Sequence, residues 1–213
     1  MLIDFHTHNT QTAEGVIAPS SFGFHPWTPK QISAQGNATV PADCEHTMAT
    51  LKQMLTTVDM VGECGLDRLC DTPWEVQKRL FEEQLIIAEE MQKPVVIHCV
   101  RAMEELIAMR KHYNKTAWVM HGFAGGVEQA KQLIAKGISI SVGAALIDER
   151  HTKLRQAVQM LGVGAFFLET DEAEIEIGTL YRVAAELLQV EENLLEEAIY
   201  RQYIALCRQN QDR

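Results

Sequence analysis

The chain has 213 residues, which at roughly 150 residues per domain favours a single domain, 1–213. A hydrophobic share of 46% and a charged share of 23% are ordinary globular values and exclude a disordered tail, a collagen-like chain and a coiled coil. With 19 basic and 29 acidic residues the formal charge is −10, so no extended basic nucleic-acid surface is expected, and any contact with a polyanion must be local and metal-assisted.

In chain order, short β-rich runs alternate with amphipathic helical stretches. The runs are Leu2–Phe5, Ser21–Phe24, Val58–Val61, Val95–Ile97, Ala117–Met120, Ile138–Val142 and Ala165–Leu168. Several are continuously apolar, as befits strands buried on both faces of a parallel sheet. Residues 28–43, with Pro29, Gly36 and Pro41, are the loosest stretch and read as a surface excursion. Thr72-Pro73-Trp74-Glu75 reads as a helix start, with Thr72 as N-cap, Pro73 in the first helical position and Glu75 closing a capping box. Phe81, Leu85 and Ala88 follow at helical spacing, and the helix must stop before Pro94. The same spacing recurs in Ala102, Leu106 and Met109, and in Val127, Ala130 and Ile134 before Gly137. Leu195, Ile199, Tyr203 and Leu206 form a last stripe, read as a helix packed on the domain.

Strand–helix alternation implies βαβ units. About seven such strands favour a closed or nearly closed (β/α) barrel, and no glycine-rich phosphate loop follows the first strand to support a Rossmann sheet. No apolar run nears the ~18 residues of a membrane span. Met1-Leu2-Ile3-Asp4 lacks the pattern of a signal peptide. The cysteines (Cys44, Cys64, Cys70, Cys99, Cys207) are odd in number and lack CxxC spacing, which suits a reduced, cytoplasmic setting.

Residues of metal-ligand type fall at the C-terminal ends of the expected strands. His6 and His8 follow the first, Glu63 the third, His98 the fourth, His121 the fifth and Asp171 the last. In a parallel barrel those ends open on one face, where active sites are built. The H-x-H pair puts two imidazoles on one side of a strand, roughly 6–7 Å apart at the backbone, which suits chelation. Singly, each residue reads as an ordinary loop or solvated side chain; it is the conjunction that points to metal. Four imidazoles and two carboxylates exceed one tetrahedral ion and suit two divalent ions sharing a carboxylate. Such a pair can clamp the attacking and leaving oxygens of a phosphoryl displacement and lower the pKa of bound water. Cys64 and Cys99, next to two of these residues, face away from them and read as buried structural thiols. His46, His112 and His151 read as solvent-facing. Trp27 either covers the rim of the fold or stacks a base.

Asp4-Phe5-His6-Thr7-His8, Gly62-Glu63-Cys64-Gly65-Leu66-Asp67, Val95-Val96-Ile97-His98-Cys99, Met120-His121-Gly122-Phe123 and Leu168-Glu169-Thr170-Asp171 resemble the successive signatures of the TatD-related hydrolases. These are metal-dependent deoxyribonucleases of the amidohydrolase superfamily. Phe22-Gly23-Phe24-His25-Pro26 is similar to another element of that family, and the match runs in order from about residue 2 to 171. The resemblance implies an α/β, TIM-like (β/α) barrel, here with seven strands or an irregular gap. It implies that His6, His8 and Asp171 hold one divalent ion, that His98 and His121 hold another, and that Glu63 bridges them. Asp171 would also orient the attacking water and act as base. His25 would reach substrate phosphate or be a loop histidine turned by Pro26. Asp67 would orient a ligand imidazole or face solvent. Zinc, manganese, magnesium, nickel and iron all suit such donors.

Three departures stand out. His8 to Phe22 is too short for the usual helix and second strand. Val100 occupies the family's arginine slot, with Arg101 one place later as a substitute phosphate contact. Glu172-Ala173-Glu174 follows Asp171, where extra negative charge would repel a nucleic-acid backbone or simply face solvent. The expected function is a two-metal hydrolase of phosphodiester bonds, with DNA as substrate. The alternatives are a hydrolase of a small ester, amide or lactone, and a metal-binding protein without turnover. No protein partner is indicated.

Overall fold

The computed structural model of the chain describes residues 1–9, 13–27 and 44–208. The excursion expected at 28–43 lies outside them, as does the side chain of His46. The described elements are β1 (Leu2–Ile3), β2 (Val16–Ile17), β3 (Ser21–Phe22), α1 (Cys44–Met54), β4 (Met60–Asp67), α2 (Trp74–Glu90), β5 (Val95–Val100), α3 (Met103–Arg110), β6 (Trp118–Met120), α4 (Val127–Ala135), β7 (Ile138–Val142), α5 (Thr152–Leu161), β8 (Phe167–Leu168), α6 (Ile177–Leu188) and α7 (Glu192–Arg208). The chain forms two compact units: Ser20–Trp118, and Met1–Pro19 together with the chain from Val119 onward.

In the unit of Ser20–Trp118, β3, β4 and β5 run parallel, in that order. The β4–β5 register pairs Cys64 with Ile97, Gly65 with His98 and Asp67 with Val100. Gly65 is required here: its φ is +151°, and a Cβ would lie 2.0 Å from the His98 carbonyl oxygen. Phe81, Leu85 and Ala88 of α2 are buried, as the helical spacing predicts.

The start of α2 differs from expectation. Pro73, not Thr72, is the N-cap, with ψ 136°, and no side chain caps the helix. The reason is local. The Pro73 carbonyl accepts the amides of Val76 and Gln77, while the buried Gln77 side chain donates to the carbonyls of Asp67 and Thr72 and accepts from the Asp67 amide. The Pro73 carbonyl thus takes helical amides, and Gln77 pairs the backbone of the loop that leads into the helix.

In the other unit, β6, β7 and β8 are neighbours, and β8 continues to β1. The Phe5 amide donates to the Leu168 carbonyl, and a parallel bridge joins Thr7 to Asp171. Beyond β1 lies β2, parallel to it, with Leu2 opposite Val16. β2 adds a short strand to the seven read from sequence; two β-branched residues after the turn glycine Gly15 suffice for it. In α4 the buried positions are Ala130 and Leu133, whereas Ile134 is exposed, one place off the expected stripe. On α7, Leu195, Ile199 and Leu206 are buried, and the helix packs on β1. No described helix is long and apolar enough to cross a membrane.

Candidate functional site

His6, His8 and Asp171 converge because two chain segments are zipped together by backbone. The Asp171 amide donates to the His6 carbonyl, and the His8 amide donates to the Asp171 carbonyl. Asp171 adopts φ +52°, turning out of β8 at this point. One donor atom from each of the three side chains lies within 4.8 Å of the others. His8 Nε2 and His6 Nε2 stand 3.5 and 3.8 Å from the same Asp171 oxygen. Two atoms each bound about 2.1 Å from a tetrahedral ion are about 3.4 Å apart, so these spacings suit one divalent cation.

Two buried carboxylates back this group. Asp4 accepts the Thr170 amide at 2.8 Å and the Thr170 hydroxyl at 2.7 Å, and that hydroxyl also lies 2.8 Å from Thr7 Oγ1. Burial pushes the Asp4 carboxyl above its ordinary pKa, against the pull of those two donors. Glu169 is fully buried and accepts the Gly122 amide at 2.5 Å. His121 is a neighbour as well, its Nδ1 3.8 Å away. Burial raises its pKa too, with His121 as the largest opposing influence. The His121 ring lies 4.7 Å from that of His6.

The unit of Ser20–Trp118 holds a second set of donors: His25, Glu63 and His98, again with one atom each within 4.8 Å of the others. Glu63 Oε1 is 3.0 Å from His98 Nδ1 and 3.3 Å from His25 Nε2. The far nitrogen of His98, Nε2, is 3.3 Å from Asp67 Oδ2. That contact orients the imidazole so that Nδ1 faces Glu63, the arrangement by which a carboxylate fixes a ligand histidine. Asp67 is itself held, accepting the Trp27 indole N–H at 2.7 Å and the Leu69 amide at 2.7 Å. Burial alone would raise the Asp67 pKa, but these donors together with His98 bring it below the ordinary carboxylate range.

The residues singled out in the sequence thus fall into two groups. His6, His8 and Asp171 come together with His121 beside them. Glu63, His98 and His25 come together with Asp67 behind them. Arg101 belongs to neither donor set; it stands exposed just past β5 with φ +51°. Cys64 is buried, as expected, whereas Cys99 is partly exposed; burial pushes the Cys99 thiol up to about 11, so it is no thiolate at neutral pH. His112 and His151 are exposed, in line with solvent roles. Sequence reasoning gave no part to Asp4, Thr170, Glu169 or the Trp27–Asp67 bond. Asp4 and Glu169 each sit two places before a singled-out residue, on the same side of an extended chain. That spacing was the available signal.

The TatD related DNase family profile matches residues 4–199. An uncharacterized metal-dependent hydrolase of Haemophilus influenzae is 35% identical over 143 residues, covering 62% of this chain and 55% of that protein. The 3'-5' ssDNA/RNA exonuclease TatD of Erwinia amylovora is 33% identical over 159 residues, covering 71% of this chain and 57% of that one. The chain therefore spans about half the length of such relatives. Among solved structures, YjjV, a TatD homolog from Escherichia coli K12, superposes with a TM-score of 0.72 at 25% identity, covering 91% of this chain and 77% of that one. An uncharacterized amidohydrolase from Saccharomyces cerevisiae gives the same TM-score, 0.72, at 14% identity, which speaks to the fold alone; it covers 90% of this chain and 80% of that one.

Proposed function

We propose that this chain, which belongs to the TatD related DNase family and has the α/β, TIM-like fold of its solved homologues, is a metal-dependent hydrolase that cleaves phosphodiester bonds in DNA. The observation that carries the reading is the pair of donor sets, each of three imidazole or carboxylate atoms within 4.8 Å of one another at strand ends. The name of the Erwinia amylovora relative, an exonuclease on single strands, supports the same substrate class.

On this reading His6, His8 and Asp171 hold one divalent ion, and Glu63 and His98 take part in holding a second, with His121 as a further donor. Bound ions would supply charge neutralisation at the phosphate and a more acidic water. The chain's own residues do the rest. Asp171 has a side chain 37% exposed and fixed by backbone on both flanks, so water reaches it and its carboxylate can take the proton of the attacking water. Asp67 keeps the His98 ring in one orientation. His25, 3.3 Å from Glu63, is placed to meet a substrate phosphate oxygen. Arg101, exposed and free of the donor sets, is the other candidate for that contact.

The test is a nuclease assay on 3'-labelled single-stranded DNA with protein reconstituted with manganese or zinc, beside Glu63→Ala and Asp171→Ala. Loss of several kcal/mol of charge stabilisation should lower the rate on the order of a thousandfold in either variant. Equal activity in all three proteins would overturn the reading. One observation favours a second reading, hydrolysis of a small ester, amide or lactone: the net charge of −10, with Val100 where the family has arginine. A panel of phosphodiesters, lactones and N-acyl amino acids separates the two. Stoichiometric metal without turnover on any of them would mark a binding protein.

A further inference from the structure

Trp27 is 55% exposed, an unusual state for so large a ring. It is nonetheless fixed at several points. Its indole N–H donates to Asp67 at 2.7 Å, and its backbone amide donates to His25 Nδ1 at 3.2 Å. Its ring meets His25 edge-on at 4.7 Å and His98 at 5.9 Å. The preceding carbonyl, of Pro26, accepts the Cys70 thiol at 3.8 Å, tying this segment to the turn after β4. Leu69, on that turn, is 61% exposed, and its amide is held by the same Asp67 carboxylate. A rigid indole with its polar edge bonded and its apolar surface open, next to a phosphodiester-cleaving group of donors, has the chemistry of a stacking surface.

Charge decides what the surface holds. A protein that grips nucleic acid through phosphates does so with many lysines and arginines, and this chain is ten charges on the acidic side. Beyond the phosphate held at the donor sets, further affinity must come from the bases. A base in a duplex already has both faces covered, whereas an unpaired base offers one. We propose that Trp27 is the platform on which an unpaired nucleobase of the substrate stacks, and that it thereby sets a preference for single-stranded nucleic acid. The inference rests on the function proposed above and names its specificity residue.

Three proteins test it: the full chain, Trp27→Ala and Trp27→Phe, each folded by circular dichroism and loaded with the same metal. Stacking contributes about 1–3 kcal/mol per base, so Trp27→Ala should raise KM for a single strand by roughly 5- to 150-fold with kcat little changed. Trp27→Phe keeps an aromatic face and gives up the bond to Asp67, so it should restore most of the affinity. A phosphorothioate oligothymidylate that resists cleavage should quench the tryptophan fluorescence of the full chain and not that of Trp27→Phe, where only Trp74 and Trp118 remain. An abasic strand should bind the full chain and Trp27→Ala equally poorly.

A fall in kcat of equal size in both variants, with KM unmoved, would mean that Trp27 acts through Asp67 on His98, and the platform would be refuted. Binding of the abasic strand as tight as that of the normal one would refute it too. Should the full chain cleave no phosphodiester, the proposed function fails, but the quenching still decides the platform: quenching that depends on Trp27 upholds it, and its absence ends it.

Discussion

Tyr181 joins α6 to β1 through one hydroxyl, which accepts the Ile3 amide at 3.0 Å and donates to the Ile3 carbonyl at 3.1 Å. Burial lifts its pKa well above the usual value near 10, so the folded chain keeps this proton after the unfolded chain has released it. Its contribution to stability is therefore complete below about pH 10 and declines as pH rises beyond that. Tyr181→Phe is expected to lose about 1–3 kcal/mol at pH 7, because two buried backbone groups go unsatisfied, and to flatten the alkaline fall. Urea midpoints between pH 7 and 11 check this, and an unchanged alkaline slope would contradict it. Asp67 Oδ2 lies 3.3 Å from His98 Nε2. If it orients His98, Asp67→Asn should weaken metal binding at the Glu63–His98 pair by about 10–100-fold with the fold intact, as read by competition with a chelating dye. Unaltered affinity would leave Asp67 only the task of holding its loop.

The β4–β5 pair shows how one element positions chemistry. Glu63 and Asp67 come from β4 and His98 from β5, and Gly65 lets the two backbones close to the distance at which these side chains meet. Gly65→Ala would place a methyl group 2.0 Å from the His98 carbonyl, at a φ that alanine avoids, so the strands must part. We expect stability to fall by about 1–3 kcal/mol or more and metal binding at His98 to fall with it. Phe81→Ala on α2 is the contrast. Phe81 is fully buried, and its loss should cost about 3–5 kcal/mol through a cavity while metal binding per folded molecule persists. Urea denaturation paired with metal titration distinguishes the two; equal loss of metal binding in both would show that Gly65 has no special relation to the site.

For the molecule as a whole, if the donor set in each unit holds a divalent ion, metal is a folding ligand. At a free concentration about 100 times Kd, each ion adds about 2.7 kcal/mol, or roughly 5–10 °C in Tm for a chain of this size. Manganese or zinc should raise Tm and a chelator lower it, and a Tm indifferent to both would count against the donor sets as metal sites. Residue type alone made seven of the strands legible, together with α2, α3, α4, α7 and the ionisable residues at the strand ends, because burial periodicity and strand-end position are local properties; α1, α5 and α6 carried no stripe that was read. The sequence also carried the family signatures. It did not determine the Pro73 cap, since that depends on Gln77 reaching back across a loop, nor the strand Val16–Ile17, which is too short to show a period. Long-range folding set the rest: Asp67 faces both His98 and Trp27, Glu169 lies near His121, and His25 joins Glu63. Those contacts join residues 31 to 48 positions apart, which backbone pairing between strands sets and no local pattern encodes.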